Sequence, residues 1–142
     1  VMWFVCIIVG VSMADSSSTN NVRVSLYFEA HCEPCQQFTT GPLKSALADP
    51  SIAKLVDLKM VPYGNAHENR NKSFTCQHGP DECVANLIEN CALFSNAKQS
   101  GGAMFDANVT KQTWPFLLCM ETAHGDSTKA AGCASSTGAV DW

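Results

Sequence analysis

Apolar and polar residues alternate along the segment 22–28, whose sequence is VRVSLYF. An alternation with a period of two predicts a β-strand that buries one face. A second apolar segment, LVDLKMV at 55–61, predicts another strand, and it ends at the turn sequence Pro62-Tyr63-Gly64.

Apolar residues between these two strands recur at helical spacing and predict a helix over 34–47. Gly41-Pro42 should bend it, because proline lacks the amide hydrogen and collides with the preceding turn. A strand, a helix and a strand within such a short stretch form a βαβ unit with parallel strands. The sequence therefore predicts an α/β fold.

Two further helices are predicted in the second half of the chain. One covers 83–96, with an inward face formed by Val84, Leu87, Ile88 and Cys91. The other begins at Thr113, a candidate N-cap, with Pro115 in its first turn and a buried side of Phe116, Leu117, Leu118 and Met120. Beyond Gly125 the sequence becomes small and polar, and no closing element is predicted.

The first residues of the chain are almost wholly apolar and are followed by Ser12-Met13-Ala14. This pattern predicts a secretory signal peptide over 1–14, with a partial n-region and cleavage after Ala14, rather than a short buried strand or helix. The apolar run is too short for a membrane anchor. A flexible lead-in over 15–21 and one domain over 22–142 follow.

The overall composition excludes some classes of function. The 142 residues carry a net charge of -4, and the nine Lys and Arg are scattered, so no basic surface for nucleic acid is expected. Two N-glycosylation sequons, at Asn71 and Asn108, agree with passage through the secretory pathway.

Eight cysteines are more than a chain of this length needs for folding. Cys32 and Cys35 directly follow the first predicted strand, and two cysteines at this spacing at a helix start are typical of a dithiol redox centre. We expect Cys32 at the solvent-facing helix N-terminus, where the helix dipole lowers the pKa of its thiol, and Cys35 one turn inside. A structural disulfide, or a zinc site completed by Cys76 and His78, are the alternatives.

The segment from Cys76 to Cys91 carries a specific pattern: C-Q-H-G, two free positions, E-C, two free positions, N, four free positions, C. It resembles the signature of the gamma-interferon-inducible lysosomal thiol reductase family, and every fixed position is present. The resemblance extends from Val22 to about Cys133.

The resemblance implies a thioredoxin-like fold with a disulfide-rich helical insertion. It implies an enzyme, a soluble glycoprotein that reduces protein disulfides at acidic pH in endosomes, lysosomes or outside the cell. Cys32 would be the nucleophile and Cys35 the resolving thiol. No bound cofactor is expected, because small thiols such as cysteine or glutathione would supply the electrons, and no metal is expected. The partners would be disulfide-bonded proteins. No membrane contact is expected after signal cleavage.

The signature itself is expected to be structural rather than catalytic. Gly79 would permit a tight turn, and His78 would stabilise that turn rather than act as a general base. Gln77, Glu82 and Asn86 are expected to be capping or surface polar groups. The candidates for structural disulfides are Cys76, Cys83, Cys91, Cys119 and Cys133.

The chain departs from the family pattern at its end, where the second half of a thioredoxin-like fold, including a cis-proline, would follow. We therefore expect a C-terminally truncated domain with an incomplete fold and reduced activity. Loss of Cys6 with the signal peptide would leave an odd cysteine. Two other functions use the same sequence features: a secreted disulfide-stapled binding or defence protein without turnover, and a disulfide isomerase.

Overall fold

The central element is a three-stranded sheet with the order β1-β2-β3. The structure, a computed structural model, describes residues 9–12, 21–99, 109, 111 and 113–138. The strands are β1 (Val9–Ser12), β2 (Val22–Phe28) and β3 (Val56–Pro62). β2 and β3 are parallel and β1 is antiparallel to β2. The predicted βαβ unit and α/β class are confirmed, although β3 begins and ends one residue later than predicted.

The strand β1 lies inside the segment predicted to be a signal peptide. Val9 pairs with Leu26 and Ser12 with Arg23, so this apolar run adds an edge strand to the described sheet. The predicted cleavage after Ala14, and all but the last residue of the lead-in, lie outside the described residues and stay predictions.

The crossover from β2 to β3 contains the predicted helix, as two α-helices joined by a π-helical turn, and one further short helix. The three α-helices are α1 (Glu33–Phe38), α2 (Lys44–Ala48) and α3 (Pro50–Ala53). A π-helical turn, Thr39–Leu43, joins α1 to α2 and contains Pro42. The helix thus departs from regular α geometry where the bend was predicted, because a proline cannot donate the helical hydrogen bond.

Two longer helices pack against each other and share the apolar core with the sheet. They are α4 (Pro80–Gln99), which is longer at both ends than predicted, and α5 (Thr113–Thr122), which begins where predicted. The largest buried apolar side chains come from both strands and both helices, and they are Leu26, Phe28, Met60, Leu93, Phe116, Leu117 and Met120.

The buried face of α4 differs from the predicted one. Val84 and Leu87 are 47 % and 63 % exposed, and Cys91 is exposed as well. Of the predicted residues, Ile88 is partly buried against the core, and the buried positions lie mainly on another face, formed by Glu82, Ala85, Asn86, Glu89, Ala92 and Leu93. Three of these six are polar, so a search for apolar periodicity selects the wrong side of the helix.

A helix beyond Gly125 was not predicted. Asp126 accepts a hydrogen bond from the amide of Thr128 at 2.9 Å and caps a short 3₁₀ turn, which continues into α6 (Ala130–Thr137). Its alanine and serine content gives little apolar periodicity. A two-stranded ribbon, β4 (His67–Glu68) with β5 (Phe74–Thr75), completes the described elements. Among the described residues, no helix has the length and apolar character needed to cross a membrane.

Candidate redox site

The pair Cys32 and Cys35 lies where β2 leads into α1. Cys32 has extended backbone dihedrals and occupies the N-cap position, and its carbonyl accepts the first helical hydrogen bond from the amide of Gln36 at 3.0 Å. Cys35 is in the first turn of α1. The two cysteines form a disulfide with their Cα atoms 5.2 Å apart. The helix start therefore holds both sulfurs within bonding distance, as the spacing predicts.

Both cysteines are more buried than expected. Cys32 is 1 % exposed and Cys35 is 4 % exposed, so the prediction of a solvent-facing Cys32 is wrong for this disulfide form. Both belong to the same apolar cluster as Phe28 and Phe116. Within the first turn of α1, Glu33 and Pro34 are exposed, whereas Cys35 and Gln36 face the interior. A partner molecule reaches these sulfurs only after local movement.

A network of polar side chains joins the dithiol segment to the turn after α5. Gln36, which is buried, donates from Nε2 to the carbonyl of Ala30 at 2.7 Å and pairs through Oε1 with His124 Nδ1 at 2.9 Å. His31 Nε2 lies 3.1 Å from the carbonyl of Gly125. Gly125 has φ +67°, and a side chain there would collide with the backbone of Ala30. This turn is therefore packed closely against the residues that precede Cys32.

The signature segment forms a stapled turn at the start of α4. Cys76 and Cys83 are joined by a disulfide, and Gly79 has φ +100°, which confirms the predicted glycine turn. The His78 amide donates to Glu82 Oε1 at 3.1 Å, and the His78 ring nitrogen Nδ1 lies 2.5 Å from Glu82 Oε2. Gln77 is exposed, as expected of a surface polar group, and accepts a hydrogen bond from Asn65.

Glu82 and Asn86 were expected to be capping or surface polar groups; each accepts a hydrogen bond from a backbone amide, as a capping group does, and neither lies at the surface. Both are buried on the inner face of α4. Asn86 Oδ1 accepts a hydrogen bond from the amide of Ala30 at 2.9 Å. This amide lies just beyond the end of β2, where no strand partner satisfies it. The signature asparagine therefore fixes the segment that carries Cys32.

Glu29 is a further buried carboxyl group that the sequence did not single out. Its Oε1 accepts from the amide of Asn65 at 2.7 Å, and its Oε2 lies 3.6 Å from His78 Nδ1. Burial raises the pKa of Glu29. The signal in the sequence is an acidic residue immediately before Ala30-His31-Cys32, at the end of an otherwise apolar strand.

Glu89 of α4 and Glu121 of α5 face each other in the interior. Both are almost fully buried, and in the described part of the chain no other residue donates a hydrogen bond to their oxygens. Burial raises the pKa of Glu89 to about 8, and burial together with the neighbouring Glu89 raises the pKa of Glu121 to about 10. Two close carboxyl groups in such a site are protonated at neutral pH.

The remaining described cysteines divide into one pair and one free thiol. Cys119 of α5 and Cys133 of α6 form a disulfide. Cys91 is free and exposed, so among the described residues it has no disulfide partner, and its part in a structural disulfide stays a prediction. It lies eight residues after Cys83 on one helix, about 12 Å away, which is beyond disulfide reach.

The zinc alternative based on cysteines is not supported. Cys32, Cys35 and Cys76 are all in disulfides and offer no thiolate. His78, the fourth ligand of that alternative, instead contacts Glu82.

One of the two predicted glycosylation sites lies in the described part of the chain. Asn71 is exposed, and its Oδ1 accepts from the Ser73 hydroxyl at 2.7 Å. Asn108 lies outside the described residues. Glycosylation of both stays a prediction.

Comparison with known proteins agrees with this geometry. The model of the family "Gamma interferon inducible lysosomal thiol reductase (GILT)" matches residues 23–137. A Mus musculus protein named gamma-interferon-inducible lysosomal thiol reductase is 41% identical over 116 residues, which cover 79% of this chain and 41% of that protein. A Carassius auratus protein of the same name is 36% identical over 113 residues, covering 78% and 39%.

A plant protein is also similar. The "Gamma-interferon-responsive lysosomal thiol protein" of Arabidopsis thaliana is 31% identical over 123 residues, which cover 87% of this chain and 46% of that protein. The chain spans less than half the length of each of these three relatives. Since the family match includes the dithiol, the signature and the Cys119–Cys133 pair, this chain belongs to the gamma interferon inducible lysosomal thiol reductase family.

Proposed function

We propose that this protein is a thiol oxidoreductase that reduces disulfide bonds in proteins by dithiol–disulfide exchange. The observation that carries the proposal is the Cys32–Cys35 pair, which the start of α1 holds within bonding distance at the end of a parallel strand. Relatives named as thiol reductases contain the matching region.

In the proposed reaction the reduced Cys32 attacks as a thiolate. Its sulfur bonds to one sulfur of the substrate disulfide, and the other substrate sulfur leaves as a thiolate. Cys35 then attacks the Cys32 sulfur, which releases the second substrate thiol and forms the Cys32–Cys35 disulfide. Two electrons pass to the substrate. Two molecules of a small thiol, cysteine or glutathione, restore the dithiol and become a disulfide themselves.

Access to Cys32 requires movement of its surroundings, because its side chain is buried in the disulfide form. The turn containing His124 and Gly125 is the element that would move, since polar contacts through Gln36 and His31 hold it against the dithiol segment. Asn86 would keep Ala30 in place during this movement.

The fold that we propose is thioredoxin-like, over residues 22–142, with the segment from Cys76 to Cys91 as a disulfide-rich helical insertion. The parallel pair of β2 and β3, joined through the dithiol helix, supports this assignment. A signal peptide over 1–14 and glycans at Asn71 and Asn108 belong to the same proposal.

The proposed setting is an acidic endosomal or lysosomal compartment, or the extracellular space. The names of the relatives refer to lysosomes. The buried carboxyl groups of Glu89 and Glu121 also favour low pH, because folding keeps them protonated. The proposed partners are disulfide-bonded proteins.

A second candidate is a secreted binding or defence protein in which this disulfide is structural. The burial of Cys32 favours it, since a cysteine that is only 1 % exposed is typical of a structural disulfide. The reductase would reduce many substrate disulfides per molecule, whereas the binding protein would show no such turnover.

The test measures the reduction of a disulfide-bonded protein at about pH 5, with cysteine as the electron donor. Multiple turnover that is lost in Cys32→Ser and kept in Cys91→Ser supports the reductase. Cys91→Ser is the matched control because Cys91 is a free, exposed cysteine away from the dithiol. Equal rates for the parent protein and Cys32→Ser refute the proposal and favour the binding protein. A reduction potential as high as that of disulfide isomerases would assign the same residues to isomerisation.

A further inference from the structure

Glu29, His78 and Glu82 bring one imidazole nitrogen and two carboxylate oxygens together beside the end of β2. His78 Nδ1 lies 2.5 Å from Glu82 Oε2 and 3.6 Å from Glu29 Oε2. One ligand atom from each residue lies within 4.8 Å of the others. We propose that these three side chains bind one divalent transition-metal ion, with Zn²⁺ as the expected occupant. The proposal does not depend on the reductase activity.

Both carboxylates are oriented in the same way. The amide of Asn65 donates to Glu29 Oε1 at 2.7 Å, and the amide of His78 donates to Glu82 Oε1 at 3.1 Å. In each residue one oxygen is thus held by the backbone, and the other faces His78 Nδ1. Outer hydrogen bonds that fix the orientation of ligating groups are a general feature of metal sites.

The position of Glu29 is also fixed sterically. Gly64 has φ +51°, and a side chain at this position would overlap the side chain of Glu29. The side chains of Glu29 and Glu82 are only 4% and 0% exposed. The two oxygens therefore converge in a rigid part of the molecule rather than on mobile surface side chains.

The charge of the cluster calls for a cation. Within the described part of the chain, the ion-pair partner of both Glu29 and Glu82 is His78, and no lysine or arginine lies within ion-pair distance of either. Buried carboxylates are normally paired with a cation or bound to a metal. With a neutral imidazole, a divalent ion would balance the two negative charges.

The donor set favours zinc over magnesium or calcium. Imidazole nitrogen with carboxylate oxygens suits Zn²⁺, whereas Mg²⁺ and Ca²⁺ need six or more oxygen ligands. Around a tetrahedral zinc ion, ligand atoms lie about 3.3 Å apart. The distance from His78 Nδ1 to Glu29 Oε2 is close to this value. The distance from His78 Nδ1 to Glu82 Oε2 would have to increase by about 0.8 Å for both atoms to bind the same ion. The His78 side chain is 35% exposed, which leaves an open side for a fourth ligand such as water.

A bound ion would act on the segment that carries the dithiol. The Glu29 carbonyl accepts a hydrogen bond from the Cys32 amide at 3.1 Å, so Glu29 belongs to the turn that places Cys32. The alternative is that a protonated His78 bridges the two carboxylates and no metal binds.

The experiment is a calorimetric titration of the oxidised, chelator-treated protein with Zn²⁺ at about pH 7.5, where imidazole is mostly neutral. Free thiols are alkylated beforehand so that Cys91 contributes no ligand. We expect one Zn²⁺ per chain. His78→Asn and Glu82→Gln should weaken binding by at least the roughly 10–100-fold that loss of an outer-shell partner costs. His67→Ala, which removes an exposed histidine of β4, is the control and should bind like the parent.

Circular dichroism and thermal melting establish whether each variant is folded. Loss of binding in a folded His78→Asn or Glu82→Gln supports the site. If both variants unfold, the Co²⁺ spectrum of the parent decides: intense tetrahedral bands without thiolate charge transfer support the site, and a weak aquo-like spectrum refutes it. Absence of Zn²⁺ binding in the parent, or unchanged binding in both folded variants, also overturns the proposal and leaves the protonated bridge.

Discussion

Replacing Glu121 with glutamine tests whether the buried carboxyl pair between α4 and α5 makes the protein less stable as the pH rises. Burial raises the pKa of Glu89 and Glu121 above the ordinary value of 4.5. A carboxyl group with a raised pKa holds its proton more tightly in the folded state. Its stabilising contribution is therefore complete below about pH 4.5 and is lost as the pH rises toward the folded pKa.

The size of the effect follows from these pKa values. For Glu89, the ordinary value is 4.5 and the folded value is about 8. Between pH 5 and pH 7, each such group lowers the free energy of unfolding by about 2–3 kcal/mol. The pair together lowers it by up to about 5 kcal/mol. A glutamine at position 121 does not titrate. Between pH 5 and pH 7 the free energy of unfolding of this variant should therefore decrease only by the contribution of Glu89.

The assay is urea unfolding of the oxidised protein at about pH 5, 6 and 7. We expect the free energy of unfolding of Glu121→Gln to fall about half as steeply with pH as that of the parent. Contributions from all other groups are common to both proteins and largely cancel in the comparison. Glu68→Gln, which removes an exposed carboxyl group of β4, should leave the slope unchanged. Parallel profiles for Glu121→Gln and the parent would refute the reasoning.

Three further predictions concern the frame of the site. Asn86→Ala leaves the buried amide of Ala30 without its acceptor and should lower the free energy of unfolding by about 1–3 kcal/mol in urea titrations; an unchanged midpoint would contradict this contact. Replacing both Cys119 and Cys133 with serine removes a disulfide between residues that are 14 positions apart, and it should lower the free energy of unfolding by about 3 kcal/mol. A decrease below about 1 kcal/mol would contradict this cross-link. Without reductant, alkylation followed by peptide mapping should label Cys91 and spare the Cys32–Cys35 pair; labelling of Cys32 would contradict the disulfide form.

The framework of the fold was predictable because its signals are local. The alternation in 22–28 is that of a strand buried on one face, and Gly41-Pro42 interrupts the following helix. The helix α6 was missed because its stability comes from the Asp126 cap and the bond between Cys119 and Cys133, neither of which produces apolar periodicity.

The polar interior was not predictable by the same rule. Burial of Glu82 and Asn86 depends on partners that are distant in sequence or hidden in backbone groups, namely the amide of Ala30 and the turn at His78. Glu121 is a different case. It continues the helical phase of Leu117, so its position alone indicates burial, but only the apolar residues of this helix were used to define its buried side.

The spacing of Cys32 and Cys35 predicted their pairing but not their exposure. Two intervening residues at a helix start bring the sulfurs into reach. Whether they face solvent depends on the turn at His124 and Gly125, which contacts the dithiol segment from 94 residues away along the chain. Such a contact has no local signal.

The most direct test of the central claim is to trap the intermediate of disulfide exchange. Reduced Cys35→Ser protein is mixed with a disulfide-bonded substrate at about pH 5 and quenched with acid, and the products are mapped by mass spectrometry. The account predicts a stable mixed disulfide between the substrate and Cys32, which is absent when Cys32 is also replaced by serine. A substrate adduct confined to Cys91, or no adduct at all, would contradict it.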